Sequence, residues 1–296
     1  MLKGRLGLET SRMPHADRHG LIWFERGELG VIDGCLHFIT GKDSLTPYAV
    51  QVPHQTVSMI LLGPGSTVTH DALRLLARHG TLMAAVGADG VRCYTAPPLM
   101  PDRSDIARRQ AELWGRPRSR ISVARHMYAL RLGEILPHRD LDTLRGIEGS
   151  RVKQTYRLMA QRYGLSWQGR HYDRDDPDAA DLPNQAINHA ATAVQAAAAI
   201  AVQAVAAIPQ LGFIHEDSGQ SFVLDIADLF RDTITLQIAF TVAKKAESDH
   251  ETIDRLVRRE AAMMFRKQGV IPSMIDKIKQ VIRMEEAGGS GHDRDH

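Results

Sequence analysis

Between residues 21 and 95 the apolar positions fall in short, β-favouring runs. Leu21-Ile22-Trp23-Phe24, Leu29-Gly30-Val31-Ile32 and Leu36-His37-Phe38-Ile39 predict strands, and Val57 to Leu62 and Val91 to Tyr94 continue the pattern. Asp33-Gly34, between the second and third runs, is a two-residue hairpin signal. A single helix interrupts this region, from Thr69 as N-cap to His79, with Gly80 just past its end. Pro97, Pro98 and Pro101 then break the chain. Beyond them the apolar positions recur at helical spacing almost to the end. Asp102 to about Trp114, Ile121 to about Leu136 and Leu141 to Tyr163 predict three amphipathic helices. Tyr172 to Pro183 reads as a polar loop, and Asn184 to Ile208 as an alanine-rich helix. Asp225 to Ala246, His250 to Gln268 and Ser273 to Ala287 complete the set, the last opening with Ser273-x-x-Asp276, which fits a capping box. The pattern predicts an α+β chain: a small β-rich N-terminal domain (1–96), a linker (97–104), a larger all-α domain (105–287) and a disordered tail (288–296).

Composition narrows the class. A chain of 296 residues can bury the core of one large domain or two moderate ones. Cys35 and Cys93 are too few for a disulfide framework or a zinc ribbon, which makes a reducing cytoplasm the expected setting. Residues 1–20 mix charges, a proline and two histidines without the apolar stretch of a signal peptide. The run from Ala190 to Ile208 is mostly alanine, with Gln195 and Gln203 inside it, and predicts a packed helix rather than a membrane span.

The formal net charge of +2 hides a division. Residues 101–170 carry 15 Lys+Arg against 7 Asp+Glu, whereas residues 171–228 carry 1 against 9. In the basic block every cation except Lys153 is arginine, whose planar fork suits phosphate, although a solvated helical face has the same composition. In the acidic block, Asp173 to Asp181 reads as a solvated loop, while Glu216, Asp225 and Asp228 sit among apolar residues and need partners.

One segment concentrates these signals. Leu144-Arg145-Gly146-Ile147-Glu148-Gly149-Ser150-Arg151 sets a lone carboxylate between two glycines and two arginines inside a predicted helix. Each interior glycine costs roughly 0.5–1 kcal/mol relative to alanine, a cost accepted where something must approach the backbone. Later come Gly212-Phe213-Ile214-His215 and Asp225-Ile226-Ala227-Asp228, whose two aspartates share a helix face at i and i+3. Glu148, His215 and Asp228, with Asp225 close by, form a candidate hard-metal site for Mg²⁺ or Mn²⁺, and Zn²⁺ is also compatible. Spacing alone leaves His215 open as a satisfied core residue and Asp225 open as a helix N-cap.

These segments closely resemble the integrase of CRISPR spacer acquisition in its type I-E form. The resemblance extends through Val31-Ile32-Asp33-Gly34, Gly80-Thr81-Leu82, Gly90-Val91-Arg92-x-Tyr94 and Trp167-x-Gly169-Arg170-x-Tyr172-Asp173. It implies an N-terminal β-domain, a helical domain and metal ligands at Glu148, His215 and Asp228, with Asp225 at a second acidic position. It further implies an active-site tyrosine at Tyr172 and DNA-contacting arginines at Arg74, Arg92, Arg145 and, within Arg255 to Arg259, Arg258 and Arg259. Arg26 stands where relatives carry a tyrosine that wedges the duplex end, and Ser218 where they carry a lysine. The implied protein is a cytoplasmic, metal-dependent DNA integrase and endonuclease that joins the 3′-hydroxyl ends of captured double-stranded fragments to the CRISPR repeat. Its implied working unit is a pair of homodimers bridged by a small companion adaptation protein. A non-catalytic DNA-binding scaffold and a hydrolase of small phosphoesters are the rival classes; the latter needs a closed pocket instead of an arginine-rich helical surface.

Overall fold

The computed structural model describes residues 18, 20–40, 48–95, 104–135, 137, 140–171 and 180–283. Among them the strands form two four-stranded sheets. In the first, β1 (Leu21–Phe24), β5 (Met59–Leu62), β7 (Leu82–Val86) and β8 (Cys93–Thr95) are neighbours in that order; β1, β5 and β7 run parallel and β8 antiparallel. The second has the order β4 (Tyr48–Gln51), β3 (Cys35–Thr40), β2 (Gly27–Ile32) and β6 (Thr67–Val68). The hairpin signal is realised: Ile32 pairs with Cys35, and Asp33 and Gly34 both take positive φ, 51° and 77°. Helix α1 (His70–His79) starts at Thr69, whose side chain accepts from the Ala72 N–H, and ends at Gly80 in the left-handed conformation.

Strand β5, Met-Ile-Leu-Leu, is buried on both faces. Ile60 and Leu62 pack with Leu29, Leu36, Phe38 and α1, while Met59 and Leu61 belong to the large core of the helical region. The first sheet is therefore the layer through which the β-rich and helical regions share packing. Strands β4, β6 and β7 have no counterpart in the hydrophobic pattern. β6 is two residues long, β4 is fully exposed, and Leu-Met-Ala-Ala-Val of β7 has no alternation because both its faces are covered.

The helical region comprises α2 (Asp105–Gly115), α3 (Pro117–Leu132), α4 (Leu141–Tyr163), α5 (Leu182–Ala204), α6 (Ser221–Leu229), α7 (Leu236–Ala246), α8 (Ile253–Gln268) and α9 (Val270–Ile282). The alanines of α5 let neighbours approach closely, and the helix is the buried axis against which α6, α7, α8 and α9 pack. No helix among the described residues is long and apolar enough to cross a membrane.

Several helix boundaries differ from expectation: the helix expected from Ile121 to about Leu136 is Pro117–Leu132, and that expected from Asn184 to Ile208 is Leu182–Ala204. Ser273 lies inside α9, which begins directly after Gly269, so Ser273-x-x-Asp276 is not a capping box. The expected helix from Asp225 to Ala246 is three pieces: α6, a π-helical turn at Arg231–Thr235, and α7. Here the Thr235 N–H reaches back five residues to the Phe230 carbonyl (3.2 Å), and such π-turns recur at functional sites. The expected linker (97–104), loop and tail lie largely outside the described residues.

Candidate active site

Glu148 projects from the middle of α4, Asp228 from the end of α6, and His215 from the loop between α5 and α6. The three border one open cleft of about 710 Å³, together with Tyr128, Arg145 and Arg231. The loop bearing His215 is tied to α2: buried Gln110 donates to the carbonyls of Ile208 (3.0 Å) and Leu211 (2.9 Å), and Trp114 Nε1 donates to Gly212 O (2.9 Å). Gly212 is needed for the closeness of this loop to α6, since a Cβ there would stand 2.7 Å from Ser221 Cβ. Gly146 and Gly149 behave differently. A Cβ at either meets nothing within 4 Å, so they leave the backbone beside Glu148 open on the α4 surface.

Asp225 is not an N-cap. It lies within α6, fully buried, and its carboxylate is the hub of the His215 loop. Oδ2 accepts from the backbone N–H groups of Phe213 (2.6 Å) and Ile214 (3.1 Å), and Oδ1 from that of His215 (3.0 Å). Oδ1 also lies 2.7 Å from His215 Nδ1. A carboxylate only accepts, so Nδ1 carries the hydrogen and Nε2 is left toward the cleft, 4.0 Å from Asp228 Oδ2. This is the arrangement in which a carboxylate orients a metal-ligating imidazole. The hydrogen bond to Asp225 raises the His215 pKa above its ordinary value, against burial, which lowers it.

Three further residues complete the site and were not evident in the sequence. Arg131, on the last turn of α3, pairs with Glu148 and has Nη1 3.8 Å from Asp228 Oδ2. Arg231, in the π-turn, pairs with Asp228; burial opposes its charge, but Asp228 outweighs that and raises its pKa. Tyr128 borders the cleft with a buried hydroxyl that has no hydrogen-bond partner, and burial, reinforced by Glu148, pushes its pKa up to about 12. The i, i+3 spacing of Asp228 and Arg231 was a usable signal; Arg131 and Glu148, 17 residues apart across a helix–helix turn, gave none. With both carboxylates held by arginines, no three acidic, histidine or cysteine side chains among the described residues converge as tightly as an ion requires. The donor chemistry, two carboxylates and an imidazole nitrogen on one open cleft, nonetheless fits a hard divalent cation.

Of the arginines expected to meet DNA, Arg145 borders this cleft and donates to Ile214 O (2.7 Å). Arg92 and Arg258 meet at Asp254, at 2.6 and 2.9 Å, and His189 lies 3.5 Å from the same carboxylate. Arg259 pairs with Glu251 and Arg74 with Asp71, both outside the cleft lining. Tyr172 lies outside the described residues.

A protein-family model described as CRISPR associated protein Cas1 matches residues 130–269, a span that holds Arg131, Glu148, His215, Asp225 and Asp228. A Rhodospirillum rubrum protein named CRISPR-associated endonuclease Cas1 1 is 35% identical over 277 residues, covering 92% of this chain and 86% of the relative. The chain belongs to the Cas1 family. CRISPR-associated endonuclease Cas1 of Escherichia coli K12 is 36% identical over 280 residues, covering 94% and 90% of the two chains. Among solved structures, a TtCas1–DNA complex superposes with a TM-score of 0.81 at 28% identity, covering 91% of this chain and 98% of that one. A β-region followed by a helical region is thus the Cas1 architecture. A casposase bound to its integration product shares the fold, with a TM-score of 0.60 at 14% identity.

Proposed function

We propose that this Cas1 protein is a metal-dependent nuclease and integrase of CRISPR adaptation, of the type I-E form. It joins the 3′-hydroxyl of a captured duplex to a phosphodiester at the edge of the repeat by transesterification. The convergence of Glu148, Asp228 and the free Nε2 of His215 on one open cleft carries this reading. Glu148, Asp228 and His215 Nε2 would hold Mg²⁺ or Mn²⁺, which when bound would supply Lewis-acid polarisation of the phosphoryl oxygen and offset the charge developing on it. The protein's own part is positioning. Asp225 keeps the imidazole turned so that Nε2 faces the cleft, and Arg145 and Arg231 border the place where phosphate oxygens lie. The attacking 3′ oxygen forms a new bond to phosphorus, the bond to the repeat's own 3′ oxygen breaks, and the proton passes from the attacking to the leaving side.

Arg92, Arg258 and Arg259, with Arg74 on α1, supply sequence-independent contacts along the duplex. By the family resemblance, Tyr172 is assigned the role of an active-site tyrosine. The working unit is a homodimer pair bridged by a small companion adaptation protein, acting on DNA in the cytoplasm. The test combines protein, companion, a duplex with free 3′-hydroxyls and a repeat-bearing target, with and without Mn²⁺. Joined product that requires Mn²⁺ is expected. Intact duplex binding without any joined or cleaved product would leave a DNA-binding scaffold as the reading.

A further inference from the structure

Glu148 and Asp228 stand on different helices, and Arg131 reaches both. Its Nη1 pairs with Glu148 Oε1 and lies 3.8 Å from Asp228 Oδ2. The two carboxylates border the open cleft; Arg131 does not, and only 5% of its side chain is exposed. It therefore reaches them from the protein side, behind the face an incoming ion meets. Nε and Nη2 are buried there without partners. Just past the end of α3, Glu134 forms an ion pair with Arg151 of α4, with the charges exchanged.

This arrangement is costly. Taking a guanidinium out of water is repaid only by good geometry, and each unpartnered buried donor adds to the cost. An exposed pair such as Glu134–Arg151 would tie α3 to α4 more cheaply. What the exposed pair does not do is hold Glu148 near Asp228, two like charges that drift apart without a cation between them.

We propose that Arg131 is a positioning residue that holds Glu148 and Asp228 beside one another and thereby sets the affinity of the site for its divalent cation. The inference rests on the metal-centre reading above. A planar guanidinium bridges two acceptors from one fixed position, whereas a lysine ammonium is a point charge on a flexible stem. Residues behind metal ligands typically govern affinity by about 10–100-fold.

The test is Mn²⁺ binding to the metal-free protein, followed by electron paramagnetic resonance of free Mn²⁺, with no DNA and no turnover. Arg131→Met, close in size and without charge, should bind Mn²⁺ at least about tenfold more weakly than wild type. Equal Mn²⁺ affinity overturns the proposal, and tighter binding does so too, because Arg131 would then merely stand in the ion's place. If circular dichroism finds Arg131→Met unfolded, Arg131→Lys carries the test: weakened binding supports the clamp, and equal or tighter binding overturns it. A wild-type protein that binds no Mn²⁺ fails earlier, at the metal-centre reading itself, and is distinguishable from a wild type that binds while Arg131 is irrelevant.

Discussion

Oδ1 of Asp225 lies 2.7 Å from Nδ1 of His215 and 3.0 Å from the backbone nitrogen of the same residue. One carboxylate thus fixes both the imidazole and the piece of backbone that carries it, and the remaining oxygen holds the two preceding N–H groups. Asparagine cannot replace it, because its amide nitrogen would face donors. Asp225→Asn should lose about 2–3 kcal/mol of stability, read by thermal or denaturant unfolding. An unchanged midpoint would mean that the buried hub is not formed.

The His215 pKa is raised above 6.5, chiefly by its hydrogen bond to Asp225. The folded metal-free protein therefore holds the His215 proton more tightly than the unfolded chain does. The resulting stabilisation is complete below about pH 6.5 and is lost as pH rises through the raised value. The stability gap between wild type and His215→Gln should accordingly narrow with rising pH, and Mn²⁺ affinity should climb over the same range as Nε2 is freed. Denaturant titrations at several pH values and Mn²⁺ titrations check both; a gap independent of pH would contradict the assignment.

Glu148→Ala, His215→Ala and Asp228→Ala should each nearly abolish joining and cleavage while duplex binding largely persists. Gel-based joining assays beside filter binding separate the two effects. A Glu148→Ala protein that joins DNA at the wild-type rate with Mn²⁺ would refute the site.

Arg92 and Arg258 already converge on one carboxylate, Asp254, so both guanidinium groups are oriented before DNA arrives. Replacing both with glutamine should weaken binding to any duplex sequence. It should also flatten log affinity against log salt by about 0.9 per lost phosphate contact. An unchanged slope would leave them as a structural ion-pair network.

Gly212→Ala should push the His215 loop off α6, since its new Cβ would stand 2.7 Å from Ser221 Cβ. A loss of about 1–3 kcal/mol and weakened Mn²⁺ binding are expected, read by unfolding and metal titration.

Local order along the chain determined much of this structure. The Asp33-Gly34 turn, α1 with its Thr69 and Gly80 ends, and α4 from Leu141 to Tyr163 stand where periodicity and end signals put them, because those signals act over a few residues. The likeness of several separated segments to one family likewise picked out Glu148, His215 and Asp228, which the fold brings to one cleft. Other features needed the third dimension. Strand β7 carries no alternation because both its faces are covered, and the break at Arg231–Thr235 lies inside an unbroken apolar period. Asp225 looked like a helix start because nothing local distinguishes a capping aspartate from a buried one. Its partners are 10–12 residues away, and only the folding of the Gly212–His215 loop onto α6 turns it into the support of His215. Arg131 meets Glu148 across a helix pair and Asp228 across the core, contacts that depend on how helices pack and that no spacing along the chain encodes.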